Sequence, residues 1–180
     1  MEKLLILDLD ETLVYAAEAP LAHAADFAFA DYHVYIRPHA HEFIARCAAH
    51  FRLAVWTSSG KRYAQGVVEA LFAAHPLEFV WSRERCTPRF DPENYSIIWA
   101  KNLDKLRRKG HALEHVLMID DSPEKFSRHY GNLVRVRPFE GRTDDDELAR
   151  LLPYLLTLKD APNVRALEKR DWRMRVRGAR

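Results

Sequence analysis

Short apolar runs recur along the chain, and three of them end in a cluster of polar side chains. These three runs are 4–7, 53–56 and 116–119. Continuous apolar runs of about four to eight residues are typical of strands that are buried on both faces of a sheet. Two further short runs, 79–81 and 133–136, predict additional strands. The hydrophobic pattern therefore predicts a sheet of at least five strands.

Amphipathic segments lie between these strands and predict helices. They cover residues 42–50, 63–72, 103–109 and 144–156. Because strands and helices alternate, we expect an α/β fold, a Rossmann-like core with a parallel central sheet flanked by helices. Ligands of such sheets bind at the carboxyl ends of the strands. The three polar clusters lie at three such ends, so this edge is the expected functional site.

Two stretches interrupt the alternation. Residues 15–35 are rich in alanine and then alternate apolar and polar side chains, which predicts a short flap or hairpin after the first strand. Residues 82–100 contain Pro88 and Pro92 and predict a small, loop-rich insertion. Both stretches are short, so neither leaves room for a sizeable extra domain.

The composition is typical of one globular domain. The chain has 180 residues, 48% of them hydrophobic and 30% charged, with a formal net charge of +2. This length suffices to bury a proper core without disulfides or metals. We expect one folded domain over residues 1–160 and a basic tail over 161–180. A solvated or frayed tail is the favoured interpretation, although such a segment could also bind RNA or an acidic peptide.

Location can be argued from three features. The first apolar run, 4–7, is too short for a signal peptide and meets acid at once. No apolar stretch approaches the ~20 residues of a membrane-spanning helix. The spacing of Cys47 and Cys86 suggests neither a zinc site nor a disulfide framework, which favours a reducing compartment. We therefore expect a cytoplasmic protein with no membrane partner.

The sharpest chemical signal is the pair Asp8 and Asp10, directly after the first strand. Side chains at positions i and i+2 of an extended chain point to the same side. Such a pair can hydrolyse a phosphate ester, because one carboxylate attacks phosphorus while the other protonates the leaving oxygen. The repelling carboxylates favour a hard divalent cation among them, for which Mg²⁺ is suited. Taken alone, the pair is equally compatible with a simple acidic turn.

Three further signals support this chemistry. Asp120 and Asp121 end another strand, where adjacent carboxylates are costly unless a cation or solvent screens them, so they are candidate metal ligands. Thr57 and Ser58 end a third strand and could hold phosphate oxygens, although such a pair also fits a turn or helix cap. Lys101 could neutralise the phosphate, although most lysines are simply solvated.

Together these motifs resemble those of the haloacid dehalogenase (HAD) superfamily. More narrowly, they resemble the FCP/SCP group, the phosphatases of the RNA polymerase II C-terminal domain, also called NIF-type domains. The resemblance covers roughly Leu4 to Leu156 and rests on specific stretches, namely Asp8–Val14, Arg37–His39 with Glu42 and Phe43, Trp56–Ser58, Trp81 with Cys86 and Thr87, Lys101–Leu103 and Ile119–Pro123.

The resemblance implies a role for each matched residue. Asp8 is then the nucleophile and Asp10 the acid and base. A magnesium ion is then held by Asp8, by the backbone carbonyl of Asp10 and by Asp121, with Asp120 binding directly or through water. Thr57, Ser58 and Lys101 then contact the phosphate. Lys101 follows a longer insertion than in small members of the group, so Lys105 is a fallback for its role.

The resemblance also implies a substrate class. Members of the group lack the large cap domain that closes over small substrates, and an open site admits a phosphate on a macromolecule. We therefore expect a phosphorylated macromolecule as partner, with phosphoserine or phosphothreonine of a protein as the favoured substrate. An RNA-end or polynucleotide phosphatase is the first alternative, favoured by the basic tail. A catalytically silent binding module, like the mitochondrial translocase receptor that shares this domain, is the second.

Overall fold

The structure, a computed structural model, describes residues 2–177. Its elements in chain order are β1 (Leu4–Leu7), β2 (Val14–Ala17), β3 (Phe27–Phe29), β4 (Tyr32–Ile36), α1 (Ala40–Ala48), β5 (Arg52–Trp56), α2 (Lys61–Phe72), β6 (Leu77–Trp81), β7 (Thr87–Asp91), β8 (Ser96–Ala100), α3 (Asp104–Arg107), β9 (Val116–Asp120), β10 (Leu133–Arg135), α4 (Glu147–Leu158) and α5 (Trp172–Arg177).

The main layer is a five-stranded sheet in the order β10-β9-β1-β5-β6, with every neighbouring pair parallel. The central strand β1 pairs with β5 on one side and β9 on the other, so their carboxyl ends meet at one edge. All five strands predicted from the apolar runs are present in this sheet. The expected parallel α/β fold is therefore confirmed.

Alternate side chains of each strand serve the two faces of the sheet. Leu5 and Leu7 join the larger core, to which α1, α2 and α4 contribute their apolar faces. Leu4 and Ile6 join a second core with Leu106 of α3. Burial on both faces explains why these strands are apolar throughout. It also fixes their register, because a slip of one residue would exchange the two faces.

The predicted flap is a small antiparallel sheet in the order β2-β4-β3. It packs on α2, where Phe29 approaches so closely that a Cβ at Gly66 would lie 2.9 Å from the Phe29 ring. The same ring contacts Tyr63 edge to face, at 5.4 Å between centroids. Gly66 thus allows the flap to lie close to the start of α2.

The predicted loop-rich insertion is instead an antiparallel hairpin of β7 and β8, each five residues long. Pro88 lies within β7, opposite Trp99. A proline is tolerated in such a hairpin because each strand has an open edge that needs no N–H donor. Beyond the main sheet and the helices packed on it, residues 2–177 carry two small β-structures, the flap and this hairpin. Neither is large enough to form a cap.

The C-terminal segment is folded against the core. Trp172 in α5 is completely buried, stacks on Tyr154 of α4 and donates its indole N–H to the carbonyl of Arg135 at 2.9 Å. Arg173 pairs with the buried Glu147. The expectation of a frayed terminus is therefore wrong for residues 161–177, although Arg165, Arg170 and Arg175 are exposed to solvent, while 178–180 lie outside the described residues. The domain boundary after residue 160 stays a prediction.

Two smaller findings bear on the sequence analysis. Cys47 and Cys86 are both free thiols and both buried. Between residues 2 and 177, no helix has the length and apolar character needed to cross a membrane.

Candidate functional site

Asp8 follows the last residue of β1 and is buried at the polar edge of the sheet. Its N–H donates to the carbonyl of Ile119 at 3.0 Å, so the pairing of β1 with β9 continues up to the site. Its Oδ1 accepts the N–H of Leu9 at 2.9 Å. Its Oδ2 lies 3.0 Å from Nζ of Lys101 and 3.3 Å from Nζ of Lys125. Burial raises the pKa of Asp8, but the two ammonium groups outweigh burial and lower the pKa to about 2, so Asp8 is ionised at neutral pH.

Asp120 and Asp121 stand at the carboxyl end of β9, beside Asp8. Lys101 contacts Asp120 with 2.5 Å between Nζ and Oδ2. Burial, followed by the charge of Asp8, raises the pKa of Asp120 to about 7. One carboxylate oxygen from each of the three aspartates lies within 4.8 Å of the other two. The structure therefore brings together the two acidic clusters, as the sequence predicts.

The three carboxylates suit a hard divalent cation. All three are buried, and the raised pKa of Asp120 reflects the cost of holding charge so close to Asp8. A cation among them would remove this cost, and Mg²⁺ prefers oxygen ligands of this kind. The donor set therefore fits the magnesium ion that the sequence predicts. The carboxylate of Asp10 lies outside this cluster, and ligation through its backbone carbonyl stays a prediction.

Asp10 lies on the turn after β1, where hydroxyl groups hold its carboxylate in place. Tyr63 donates to Oδ1 at 2.7 Å and Ser59 donates to Oδ2 at 2.5 Å. Thr57 makes a weaker contact with Oδ2 at 3.4 Å. Burial raises the pKa of Asp10 by more than the hydrogen bonds lower it. Asp10 therefore keeps a proton to a higher pH than an exposed aspartate does, which suits a general acid.

The turn that carries Asp10 is tied to the rest of the site. The carbonyl of Leu9 accepts the N–H groups of Leu13 at 2.8 Å and of Val14 at 3.1 Å. Glu11 adopts a left-handed φ of 56°, a conformation that costs a non-glycine residue on the order of 1 kcal/mol. Thr12 donates to the carboxylate of Asp121 at 3.3 Å, which links the turn to the second acidic cluster.

The loop after β5 places Thr57 beside Asp10. Thr57 is buried, donates its N–H to the carbonyl of Trp81 at 2.8 Å and accepts the N–H of Ser59 on its hydroxyl at 3.0 Å. Ser58 is half-buried, and its carbonyl accepts the guanidinium of Arg83 at 2.7 Å. Contact of Thr57 and Ser58 with a phosphate stays a prediction.

The structure distinguishes the two lysines that the sequence offered for charge neutralisation. Lys101 lies at the end of β8, is completely buried and contacts both Asp8 and Asp120. Lys105 points elsewhere and donates its ammonium to the carbonyl of Arg85 at 2.7 Å. The fallback assignment of Lys105 is therefore wrong, and Lys101 is the lysine beside Asp8.

Sequence reasoning missed three residues of this site: Lys125, Ser59 and Tyr63. Lys125 lies on a 3₁₀ turn, Pro123–Phe126, and its Nζ is 3.3 Å from Asp8 Oδ2. Burial opposes its charge, but the carboxylates of Asp8 and Asp120 outweigh burial and raise the pKa of Lys125. The available signals were the short spacing from Asp121 to Lys125 and the hydroxyls that follow Thr57.

This sheet with carboxylates and a lysine at its carboxyl edge defines a HAD-like α/β protein. Solved structures agree. The structure of Fcp1, described as an essential RNA polymerase II CTD phosphatase, aligns with a TM-score of 0.61 over 98% of this chain and 62% of that chain. Its sequence identity to this chain is 17%, so this likeness supports the fold alone.

The sequence places the chain in a family. The model of the NLI interacting factor-like phosphatase family matches residues 3–165, so the chain belongs to that family. A probable C-terminal domain small phosphatase of Dictyostelium discoideum is 31% identical over 171 residues, 91% of this chain and 53% of that protein.

A human relative is similarly close. The human carboxy-terminal domain RNA polymerase II polypeptide A small phosphatase 1 is 32% identical over 167 residues, 88% of this chain and 60% of that protein. The chain spans about half the length of the first curated relatives it matches. The resemblance to the FCP/SCP group is thus confirmed.

Proposed function

We propose that this chain is a Mg²⁺-dependent phosphatase that works through an aspartyl-phosphate on Asp8 and acts on phosphoserine or phosphothreonine of a protein. The observation that carries the proposal is the contrast between two neighbouring carboxyl groups. Two lysines hold Asp8 ionised, whereas burial favours a proton on Asp10. Nucleophilic and acid chemistry need these opposite states in one site.

In the first half of the reaction, a carboxylate oxygen of Asp8 forms a bond to phosphorus as the ester P–O bond breaks. The leaving oxygen takes the proton of Asp10 and departs as an alcohol. Ser59 and Tyr63 orient Asp10 for this transfer, because their hydroxyls bind its two oxygens. Asp8 then carries the phosphoryl group as a mixed anhydride.

In the second half, Asp10 acts as a base. It takes a proton from a water molecule whose oxygen attacks phosphorus, the anhydride P–O bond breaks, and phosphate leaves while Asp8 returns as a carboxylate. Lys101 and Lys125 offset the charge that gathers on Asp8 and the phosphoryl oxygens in both halves. A Mg²⁺ ion held by Asp8, Asp120 and Asp121 would further neutralise these oxygens when bound.

Two observations support a protein substrate. The human relative is named as a small phosphatase of the carboxy-terminal domain of an RNA polymerase II polypeptide, a protein segment. Residues 2–177 carry only the small flap and the β7–β8 hairpin outside the main layer, so a phosphate on a macromolecule has access. The RNA-end alternative relied on a free basic tail, whereas residues 161–177 are anchored to the core by Val164 and Trp172, although Arg165, Arg170 and Arg175 stay exposed. A silent binding module is disfavoured by the complete set of ionisable groups around Asp8.

The test measures phosphate release from p-nitrophenyl phosphate, a phosphoserine peptide and a 3′-phosphorylated oligonucleotide, with Mg²⁺ or with EDTA. We expect Mg²⁺-dependent release with the peptide preferred over the oligonucleotide. Asp8→Asn should abolish release from all three. Acid-quenched wild-type protein should carry one phosphoryl group on the peptide that contains Asp8.

Asp10→Asn separates the acid role from a structural one. Loss of a general acid lowers kcat by roughly 10²- to 10⁴-fold where the leaving group needs a proton. We expect a loss of that size for the phosphoserine peptide and a much smaller effect on the first step with p-nitrophenyl phosphate, because nitrophenolate leaves without one. Equal losses in the rate of the first step, measured as the burst of released alcohol or nitrophenolate, would contradict the assignment of Asp10. A preference of the wild type for the oligonucleotide would replace the protein substrate by a nucleic-acid one.

A further inference from the structure

A group of basic side chains lies on the surface beside the loop that carries Thr57. We call it the basic strip, and it consists of Arg83, Arg85, Lys105, Arg108 and Lys109. The first two belong to the 3₁₀ turn after β6, and the other three belong to α3 and the turn that follows it. Lys105 joins the two segments by donating its ammonium to the carbonyl of Arg85.

Two adjoining depressions mark the surface of the strip. One of about 290 Å³ is lined by Arg85, Lys105, Arg108, Lys109 and the acid Glu84. The other, of about 310 Å³, shares Glu84, Arg85 and Lys109 with the first and extends to the start of α2. Four residues of the strip therefore line a concave surface that could accommodate an extended ligand, namely Arg85, Lys105, Arg108 and Lys109.

The charges of the strip are uncompensated within the described part of the chain. None of its five side chains forms an ion pair there, and Glu84 is the single acid that lines the two depressions. Burial and the charges of Arg85 and Arg108 lower the pKa of Lys105. Like charges gathered in this way repel each other, and an anionic partner would relieve that repulsion.

The strip is continuous with the active-site rim. The N–H of Arg83 donates to the carbonyl of Ser59 at 2.9 Å, and its guanidinium donates to the carbonyl of Ser58 at 2.7 Å. Ser59 in turn binds the carboxylate of Asp10. A ligand that places a phosphate at Asp8 could therefore extend over the strip.

The aromatic side chains beneath the basic strip indicate which kind of polyanion the strip can bind. Arg85 lies 4.6 Å and Lys109 5.9 Å from the ring centre of Trp81, which is itself buried. Arg83 lies 5.4 Å from the ring centre of Trp99. Proteins that bind single-stranded nucleic acid offer aromatic faces on which bases stack. Here cationic side chains already lie over these rings, which favours recognition of charge alone, as in an acidic polypeptide.

We propose that the basic strip docks a stretch of acidic or additionally phosphorylated residues that flanks the phosphorylated residue of the protein substrate. The inference rests on the proposed function and adds a determinant of selectivity outside the catalytic residues. Rim charges of this kind act mainly on encounter and selectivity, and their effect weakens as salt screens them.

The test compares two phosphoserine peptides, one with neutral and one with acidic flanking residues, in low salt. For the wild type we expect a KM for the acidic peptide roughly 5- to 10-fold below that for the neutral peptide, the effect of a few exposed charge pairs. The double variant Arg108→Glu with Lys109→Glu should lose this difference. Its kcat/KM for p-nitrophenyl phosphate should stay unchanged, because neither Arg108 nor Lys109 contacts the aspartates of the site.

The control is the double variant Arg46→Glu with Lys159→Glu. Arg46 lies on α1 and Lys159 directly follows α4, and both are exposed. This double variant changes the net charge equally and should keep the preference. If the reversed charges prevent folding, as judged by thermal unfolding, Arg108→Ser with Lys109→Ser replaces them.

Three outcomes would overturn the proposal. The first is a strip variant that still prefers the acidic peptide, and the second is a wild type with no preference. The third is a wild type that prefers a phosphorylated oligonucleotide and loses this preference in the strip variant. Failure of the proposed function is distinct, because the wild type would then release no phosphate even from p-nitrophenyl phosphate.

Discussion

Asp8 and Asp120 are equally buried and both lie beside Lys101 and Lys125, yet their ionisation differs because the charge on one carboxylate opposes a charge on the other. Burial raises the pKa of Asp8, but Lys101 and Lys125 outweigh burial and lower that pKa to about 2. Burial, followed by the charge of Asp8, raises the pKa of Asp120 to about 7. The lowered pKa of Asp8 stabilises the fold above its ordinary value of 3.8, and this contribution is lost as the pH falls towards 2. The raised pKa of Asp120 acts in the opposite direction. Its contribution to the stability of the fold is fully present below pH 3.8 and is lost as the pH rises through about 7.

Lys125 is expected to contact the phosphoryl group. Its side chain is 16% exposed, whereas that of Lys101 is completely buried, so Lys125 is the ammonium that an incoming phosphate meets. Lys125→Met should raise the KM for p-nitrophenyl phosphate and the Ki of inorganic phosphate by about 10-fold or more, the effect of losing one charge-assisted hydrogen bond. Steady-state kinetics with phosphate as inhibitor measures both constants.

Two variants control this prediction. Lys125→Arg keeps the charge and should restore most of the affinity for phosphate. Lys159→Met removes a lysine at the end of α4 and should change neither constant. A Ki of phosphate that is the same in Lys125→Met and the wild type would show that Lys125 does not touch the phosphate.

At the scale of elements, Trp172 is the completely buried side chain of helix α5, which Arg173 also ties to Glu147. Trp172→Ala should lower the free energy of unfolding by roughly 3–5 kcal/mol, because it leaves a large cavity beside Tyr154. Trp172→Phe retains most of the packing but loses the hydrogen bond to Arg135, and it should cost about 1 kcal/mol. Urea unfolding followed by circular dichroism measures both values.

The matched control is Met174→Ala. Met174 lies two residues after Trp172, and 69% of its surface is exposed. This variant should change stability by about 0.5 kcal/mol or less. If Trp172→Ala were as mild as this control, the packing of Trp172 would contribute little to the stability of the fold.

Elements whose pattern is local could be predicted from the sequence, and elements defined by distant contacts could not. The main strands are continuous apolar runs, so Leu4–Leu7 is found where it was expected. Trp172 is the one aromatic residue in a basic stretch, and its burial depends on Tyr154 and Arg135, which are distant in sequence. The β7–β8 hairpin was missed because Pro88 and Pro92 are read locally as loop signals.

The same distinction holds for the site. Asp8, Asp10 and Thr57 follow strands of a parallel sheet, and the topology of such a sheet brings strand ends together whatever the connecting segments do. Lys125 and Tyr63 reach the site from a 3₁₀ turn and from the first turn of α2. The orientation of these turns depends on how they pack, which no local pattern encodes.

For the whole molecule, a cation shared by Asp8, Asp120 and Asp121 would link the site to stability. At a free Mg²⁺ concentration of ~100 times the dissociation constant, binding adds about 2.7 kcal/mol to the free energy of unfolding. A protein of this size should then gain roughly 5–10 °C in Tm. Thermal unfolding with and without Mg²⁺ measures the gain, and Asp121→Asn should reduce it strongly.

The control for the cation is Asp144→Asn, which removes an exposed carboxylate that pairs with Arg142. This variant should keep the full gain in Tm. An undiminished gain in Asp121→Asn would mean that the cation binds elsewhere on the chain.

Residues 2–177 contain no large cap that could cover the site, and this has a consequence for selectivity. An enclosed enzyme can reject a wrong molecule by its volume and can shield a reactive ester from bulk water. Within the described residues neither form of enclosure exists, so the lifetime of the proposed acyl phosphate would depend on the few groups around Asp8. Selection among substrates falls to the surface surrounding the opening. Substitutions on that surface could therefore redirect the protein to another phosphorylated partner while its chemistry stays intact.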